Sequence, residues 1–257
     1  MTFKSHVHHT FDEWRTTGTC SAAVTLNTHI GEDYFDTTSP HFFTGDIHSA
    51  FVLVHLNPGR AKELWGSPCA YSDFDAYWDR FARWGYHGYG NSAGKGYIPT
   101  GKFDAKQYRF MLAFGFFPFV GDKSASDMEM SIDRKLQLEL VPFGSPKFEP
   151  TRIGVDNLRP FVAPALNLLL EAERKYIIFC GRVFVELLKD YIVAEKRHAF
   201  HLVKKDGSLT KLMFEAINVK LKYNNREIIA CIAPQYPMQG IPADKYGEKV
   251  REVYGRF

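Results

Sequence analysis

The chain has 257 residues, 45% hydrophobic and 24% charged, which is ordinary globular composition with chain enough for one large core. Its 32 Lys and Arg nearly balance 29 Asp and Glu, for a formal net charge of +3, so bulk charge excludes a strongly basic nucleic-acid coat, and any basic surface must arise by clustering. No apolar run is long enough for a membrane-spanning helix and the first residues lack a signal-like apolar stretch, so the expectation is a cytoplasmic protein without membrane contact.

In chain order, His6, His8 and His9 come first. They lack paired acidic or cysteine ligands, and the tract reads as a disordered or tag-like start rather than a metal site. Ala50 to Leu56 (AFVLVHL) is a short apolar run stopped by Asn57-Pro58-Gly59, which predicts a buried strand. From about residue 62 to 119 the chain is rich in Gly, Tyr, Trp and Phe with few clean periodic patterns. Within that stretch Phe74 to Trp84 predicts an amphipathic helix and Gly85 to Gly101 a loop. Gly94-Lys95-Gly96 fails the phosphate-loop pattern, because Gly96 stands where Ser or Thr must ligate magnesium.

Leu136 to Val141 (LQLELV, ended by Pro142), Tyr176 to Cys180 (YIIFC, ended by Gly181-Arg182) and Glu227 to Ala233 (EIIACIA, ended by Pro234) predict three more strands. Helical patterns at Asn157 to Arg174 and Val183 to Tyr191 lie between them, and a hairpin-like Val203 to Val219 reads as peripheral. The alternation predicts a single α/β domain over residues 1–257: a three-layer sandwich with a central, mostly parallel four-stranded sheet flanked by helices, its ligand site beyond the carboxyl ends of the strands. Cys20, Cys69, Cys180 and Cys231 are widely spaced, form no CxxC pair and read as reduced thiols.

The strand ends carry the functional signal. Leu56-Asn57-Pro58-Gly59 follows the first strand, Glu139-Leu140-Val141-Pro142-Phe143 closes the second, Cys180-Gly181-Arg182 the third, and Ala233-Pro234-Gln235 the last. This order, spanning roughly Phe51 to Ile241, resembles the uracil-DNA glycosylase superfamily, with Asn57, Pro58 and Gly59 matching the first motif of its mismatch-specific branch. His55 stands where that motif has glycine, and Ala233-Pro234-Gln235 keeps only the proline of the family's HPS-type last motif, losing the histidine that steadies a departing uracil.

The resemblance implies a DNA glycosylase in which Asn57 positions the attacking water, with Leu56, Pro58, Glu139 and Phe143 around a base flipped out of the helix. Phe143 reads equally as a platform for that base or as core. Glu139 stands near the position where the family often has an asparagine reading uracil, and an ionised carboxylate there suits the exocyclic amine of cytosine. A shift of one residue would reverse that reading. Candidate DNA contacts are Gly59, Arg60, Lys62, Ser145, Lys147, Arg182, Gln235, Tyr236, Met238 and Gln239, all in turns after strands.

The expected substrate is a modified pyrimidine such as glucosylated hydroxymethylcytosine in phage DNA, which points to antiphage defence; the aromatic stretch 62–119 reads either as an enlarged pocket or as a structural lid or oligomer contact. An ordinary uracil or mismatch glycosylase, a catalytically silent DNA-binding module and a small-molecule α/β enzyme unrelated to DNA are the alternatives. DNA is the expected partner, with no obligate protein partner. No metal or other cofactor is expected, because the cysteine spacing does not suit the iron–sulfur cluster of some branches.

Overall fold

Strands that are apolar on both faces belong in the middle of a sheet covered by helices on each side. The structure, a computed structural model, describes residues 2–38, 40–59, 71–87, 102–116, 125–234 and 241–257. Its strands are β1 (Phe43–Gly45), β2 (Phe51–His55), β3 (Leu136–Glu139), β4 (Tyr176–Cys180), β5 (Ile192–Phe200), β6 (Phe214–Tyr223) and β7 (Arg226–Ala233).

They form one seven-stranded sheet in the order β1-β3-β2-β4-β7-β6-β5. Neighbours β3, β2, β4 and β7 pair in parallel. β1 joins one edge antiparallel, and β6 and β5 extend the other in the same sense. The α/β class stands, and the anticipated strands are present. The four-stranded, mostly parallel sheet is corrected to a mixed sheet, because a three-residue strand and a long hairpin widen it at both edges. β6 also corrects the peripheral reading of Val203 to Val219: Ile217, Val219 and Leu221 are buried in the core.

The helices are α1 (Phe3–Thr17), α2 (Ser21–Ile30), α3 (Phe74–Ala82), α4 (Lys102–Leu112), α5 (Ala125–Arg134), α6 (Pro150–Ile153), α7 (Val155–Leu158), α8 (Val162–Leu170), α9 (Val183–Leu187) and α10 (Ala243–Val253). Strand side chains alternate between faces. Val52, Val54, Leu136, Leu138, Ile177 and Phe179 pack with α1, α2, α3, α8 and α9. Phe51, Leu53, Tyr176, Ile178 and Cys180 pack with α4 and α10 on the other face. Among the described residues, no helix is long and apolar enough to cross a membrane.

The N-terminal tract is not a loose start. Phe3, Val7, Phe11 and Trp14 form a buried stripe on α1, Thr2 caps its first turn, and Gly18 in the left-handed region closes it by donating to Trp14 O. His8 stacks on Phe74 with ring centroids 4.0 Å apart and His6 meets Phe42 edge-on at 5.6 Å, so two of the three histidines serve packing.

The helix expected over Asn157 to Arg174 is broken into α7, a 3₁₀ turn at Arg159–Phe161 and α8. Pro160 has no N–H to continue an α-helical ladder. Beyond α8, Arg174 turns back to donate to the carbonyls of Ser49, Ile47 and Leu168 at 2.6–2.9 Å, tying the chain before β4 to the turn before β2. The helix expected at Phe74 to Trp84 is α3, capped by Asp73. α9 is shorter than the expected Val183 to Tyr191. Most of the loop expected at Gly85 to Gly101, including Gly94-Lys95-Gly96, lies outside the described residues.

One glycine sets the geometry beside the site. Gly45, at φ +88, ends β1 where a Cβ would lie 2.0 Å from the carbonyl oxygen of Lys135 and 2.4 Å from that of Ile132. Only glycine allows this approach, and Asp46 N then donates to Lys135 O at 2.9 Å.

Candidate active site

The turn after β2 is built around the Asn57 amide. Its Nδ2 donates to Pro58 O at 2.9 Å, Phe143 O at 3.0 Å and Ser145 Oγ at 2.9 Å. Leu140 N and Val141 N donate to the carbonyls of His55 and Leu56 at 2.9 Å, and Gly59 bridges to Ser145, so the two chains stay zipped past the ends of β2 and β3. With its nitrogen committed, the orientation of the half-buried amide is fixed, and among the described residues Oδ1 accepts no hydrogen bond. An amide oxygen presented this way can orient a water molecule by accepting its proton in a hydrogen bond, without deprotonating it.

Two residues before Asn57, a polar network lies on the face of the sheet covered by α4. His55 and Glu139 end adjacent parallel strands as register partners, and Gln137 sits two residues before Glu139 on the same face. Glu139 is 3% exposed, which settles its direction: it points into the protein. Gln137 Nε2 donates to Glu139 Oε1 at 2.5 Å. Gln137 Oε1 accepts from Lys135 Nζ at 3.2 Å and from Gln107 Nε2 at 2.6 Å. Lys135 also donates to Thr44 Oγ1 at 3.3 Å, and Gln107 Nε2 lies 3.3 Å from His55 Nε2. Phe103 meets the His55 ring edge-on at 5.5 Å.

Burial dominates the titration of this cluster. It raises the Glu139 carboxyl to about 7, partly opposed by the Gln137 hydrogen bond and the Lys135 charge. It lowers Lys135 to about 8, against the pull of Asp104, Glu139 and Asp133. Burial, helped by Lys135, lowers His55 to about 3, so His55 is neutral at physiological pH. A carboxyl poised near neutrality at a strand's carboxyl end is the kind of group that recognises or protonates a ligand.

The other anticipated residues divide. Leu56 is buried against Gly181, and Pro58 and Ser145 belong to the turn that holds Asn57. Phe143 is 1% exposed and packs edge-on against Phe161, so its carbonyl rather than its ring enters the site. Lys147 is exposed and paired with Glu149 at 2.7 Å. Arg182 is exposed and paired with Glu215 at 2.7 Å. Arg60, Lys62, Gln235, Tyr236, Met238 and Gln239 lie outside the described residues, as does Cys69, whereas Cys20, Cys180 and Cys231 are buried free thiols.

Gln107, Lys135 and Gln137 were not anticipated. Gln107 interrupts the apolar stripe Phe103, Phe110, Met111, Phe114 of α4 and its margin, and Gln137 alternates with leucines in LQLE. Polar residues at core-facing positions were the available signal.

A cleft of about 470 Å³ lies at the opposite end of the sheet, lined by Arg174, Lys175, Ile177, Arg226, Ile228 and Tyr254 among others. Two of its cations are already committed: Arg174 holds three carbonyls and Arg226 donates to Leu170 O. It flanks the amino ends of β4 and β7, whereas ligands of parallel α/β sheets bind beyond the carboxyl ends. Among the described residues, no three His, Cys, Asp or Glu side chains group as metal ligands would. No protein-family model, curated protein or solved structure matches the chain.

Proposed function

We propose that the protein is a DNA glycosylase that hydrolyses the N-glycosidic bond of a flipped-out, modified pyrimidine. The observation that carries this reading is the Asn57 amide, anchored through Nδ2 to three acceptors with Oδ1 left for a water, at the carboxyl end of β2. In the reaction, the oxygen of that water bonds to C1′ of the sugar as the bond from C1′ to the base nitrogen breaks. The electron pair leaves with the base, which takes up a proton.

Asn57 supplies orientation rather than base strength, so the barrier falls mainly through departure of the leaving group and stabilisation of the cationic sugar. Glu139, buried beside the same strand end, reads the base edge. A glucosylated or hydroxymethylated cytosine keeps its exocyclic amine, and phage DNA is one source of such bases, so the role proposed is defence against phage.

The test is Asn57→Ala. Base release should fall at least about 100-fold while salt-dependent binding to duplex DNA persists. Unchanged release would remove Asn57 from the chemistry. Binding without any release by the unaltered protein would favour a silent DNA-binding module.

A further inference from the structure

The hydrogen bonds around Glu139 have only one consistent direction. As an ammonium, Lys135 can only donate, so the Gln137 atom 3.2 Å away is the carbonyl oxygen Oε1. The Gln107 atom 2.6 Å from that oxygen must then be the nitrogen Nε2, and His55 Nε2 is an acceptor with its ring proton on Nδ1. Gln137 Nε2 is left to donate to Glu139 Oε1.

Two atoms are left over. Among the described residues, Gln107 Oε1 and Glu139 Oε2 are buried and have no hydrogen-bond partner. Gln107 is 0% exposed and Glu139 3%. A buried polar atom left unmet is destabilising, and the chain bears this twice on side chains that share one partner, Gln137. Amide rotation cannot relieve it, because turning Gln107 over would set two carbonyl oxygens against each other at 2.6 Å.

We infer that Gln107 and Glu139 form a recognition site for an amino group beside a ring nitrogen, with Gln107 Oε1 accepting from the amine and the Glu139 carboxyl bonding the ring nitrogen. A cytosine-type base presents that edge. A uracil-type base would set its carbonyl oxygen against Gln107 Oε1, while its ring N–H could still donate to an ionised Glu139, so the discrimination falls on Gln107. A carboxyl held near neutrality can donate the proton that the unprotonated ring nitrogen requires. Gln107 is thereby a specificity-determining residue, while Lys135 and Gln137 are positioning residues that fix the polarity of the network. The identity of the ligand as a base rests on the glycosylase reading; the pair of unpartnered oxygens does not.

The experiment is an NMR titration of the protein with 1-methylcytosine, 1-methyluracil and 9-methyladenine, alongside base release from DNA containing 5-hydroxymethylcytosine or 5-hydroxymethyluracil. The unaltered protein should bind 1-methylcytosine at least about tenfold more tightly than 1-methyluracil. Gln107→Met should bring that ratio to within about twofold, with release from the cytosine-type DNA falling by a larger factor than release from the uracil-type DNA. Equal binding of the two pyrimidines by the unaltered protein, which needs no variant to fold, overturns the inference. A preference for 9-methyladenine overturns the pyrimidine assignment, and an equal fall on both DNAs in Gln107→Met reduces that residue to a structural one. Discrimination by binding without base release would support the site while removing the glycosylase reading, and release without discrimination would do the reverse.

Discussion

Replacing Glu139 by glutamine should stabilise the unliganded protein, and only at the upper end of the accessible pH range. The folded-state carboxyl titrates at about 7 against an ordinary 4.5, because burial disfavours its charge. Between these values the folded state holds a proton that the unfolded chain has released, so Glu139 takes stability away as pH rises from about 4.5 through 7. At 1.36 kcal/mol per pH unit, the loss at pH 7.5 is about 3 kcal/mol, equivalent to roughly 6–12 °C in melting temperature for a chain of this size. Buried His41 and His55, both lowered to about 3 by burial first, act in the opposite sense: they add stability as pH rises from about 3 to 6.5. Lys135, lowered to about 8, regains stability only above that pH. Asp104 and Asp133 attract the Lys135 charge, and Cys180, raised by burial, stays protonated. His41 and His55 are common to both proteins, and Lys135, which loses an attracting carboxylate in the variant, titrates near the top of the interval, so the difference below about pH 7 reports Glu139. Thermal and urea melts of the two proteins from pH 5 to 7.5 should separate progressively, with the linkage contribution growing from about 1 to about 3 kcal/mol in favour of Glu139→Gln. A difference that stays flat across that interval would show that the carboxyl is not held protonated by burial and would remove its role as a donor.

Four further substitutions test the geometry. Asn57→Ala should cost about 1–3 kcal/mol, because Pro58 O, Phe143 O and Ser145 Oγ lose a shared donor; Asn57→Asp should be less stable still at pH 7, facing those oxygens with a carboxylate, and should recover as pH falls toward 4, both read by urea unfolding. Gly45→Ala should lose about 3 kcal/mol in the same assay, since the new Cβ would lie 2.0 Å from Lys135 O in a left-handed backbone. Arg174→Met should lose about 3 kcal/mol by leaving the Ser49, Ile47 and Leu168 carbonyls without their cationic donor, and an unchanged melting temperature would deny the clamp.

The parallel centre of the sheet was legible because β2, β3, β4 and β7 are short apolar runs stopped by proline or glycine. Its edges were harder to read for two different reasons. β1 is three residues long, below any periodicity, and β5 (IVAEKRHAF) carries Glu195, Lys196 and Arg197 on an exposed edge, so it lacks an apolar face. β6 did alternate, with Ile217, Val219 and Leu221 set against Asn218, Lys220 and Lys222, and its hairpin-like start obscured that signal. On α1 the three histidines drew the eye from the stripe Phe3, Val7, Phe11, Trp14.

At the candidate site, Asn57 was readable from its turn and Glu139 as a strand residue whose direction only its burial settles. The partners that orient them were not, since Gln107 reaches Gln137 from a helix 30 positions away in sequence and no local pattern encodes that contact. Phe143 shows the converse: a residue in the right motif can face the core and contribute only its backbone.

The most direct measurement is mass-spectrometric detection of free bases after incubating the protein and its Asn57→Ala variant with unmodified DNA, uracil-containing DNA, and phage DNA carrying hydroxymethylated or glucosylated cytosine. The account predicts release of a modified cytosine by the unaltered protein, with none from unmodified DNA and at least about a 100-fold loss in the variant. Release of uracil alone would contradict the substrate assignment, and release of no base from any of these DNAs would contradict the glycosylase reading itself.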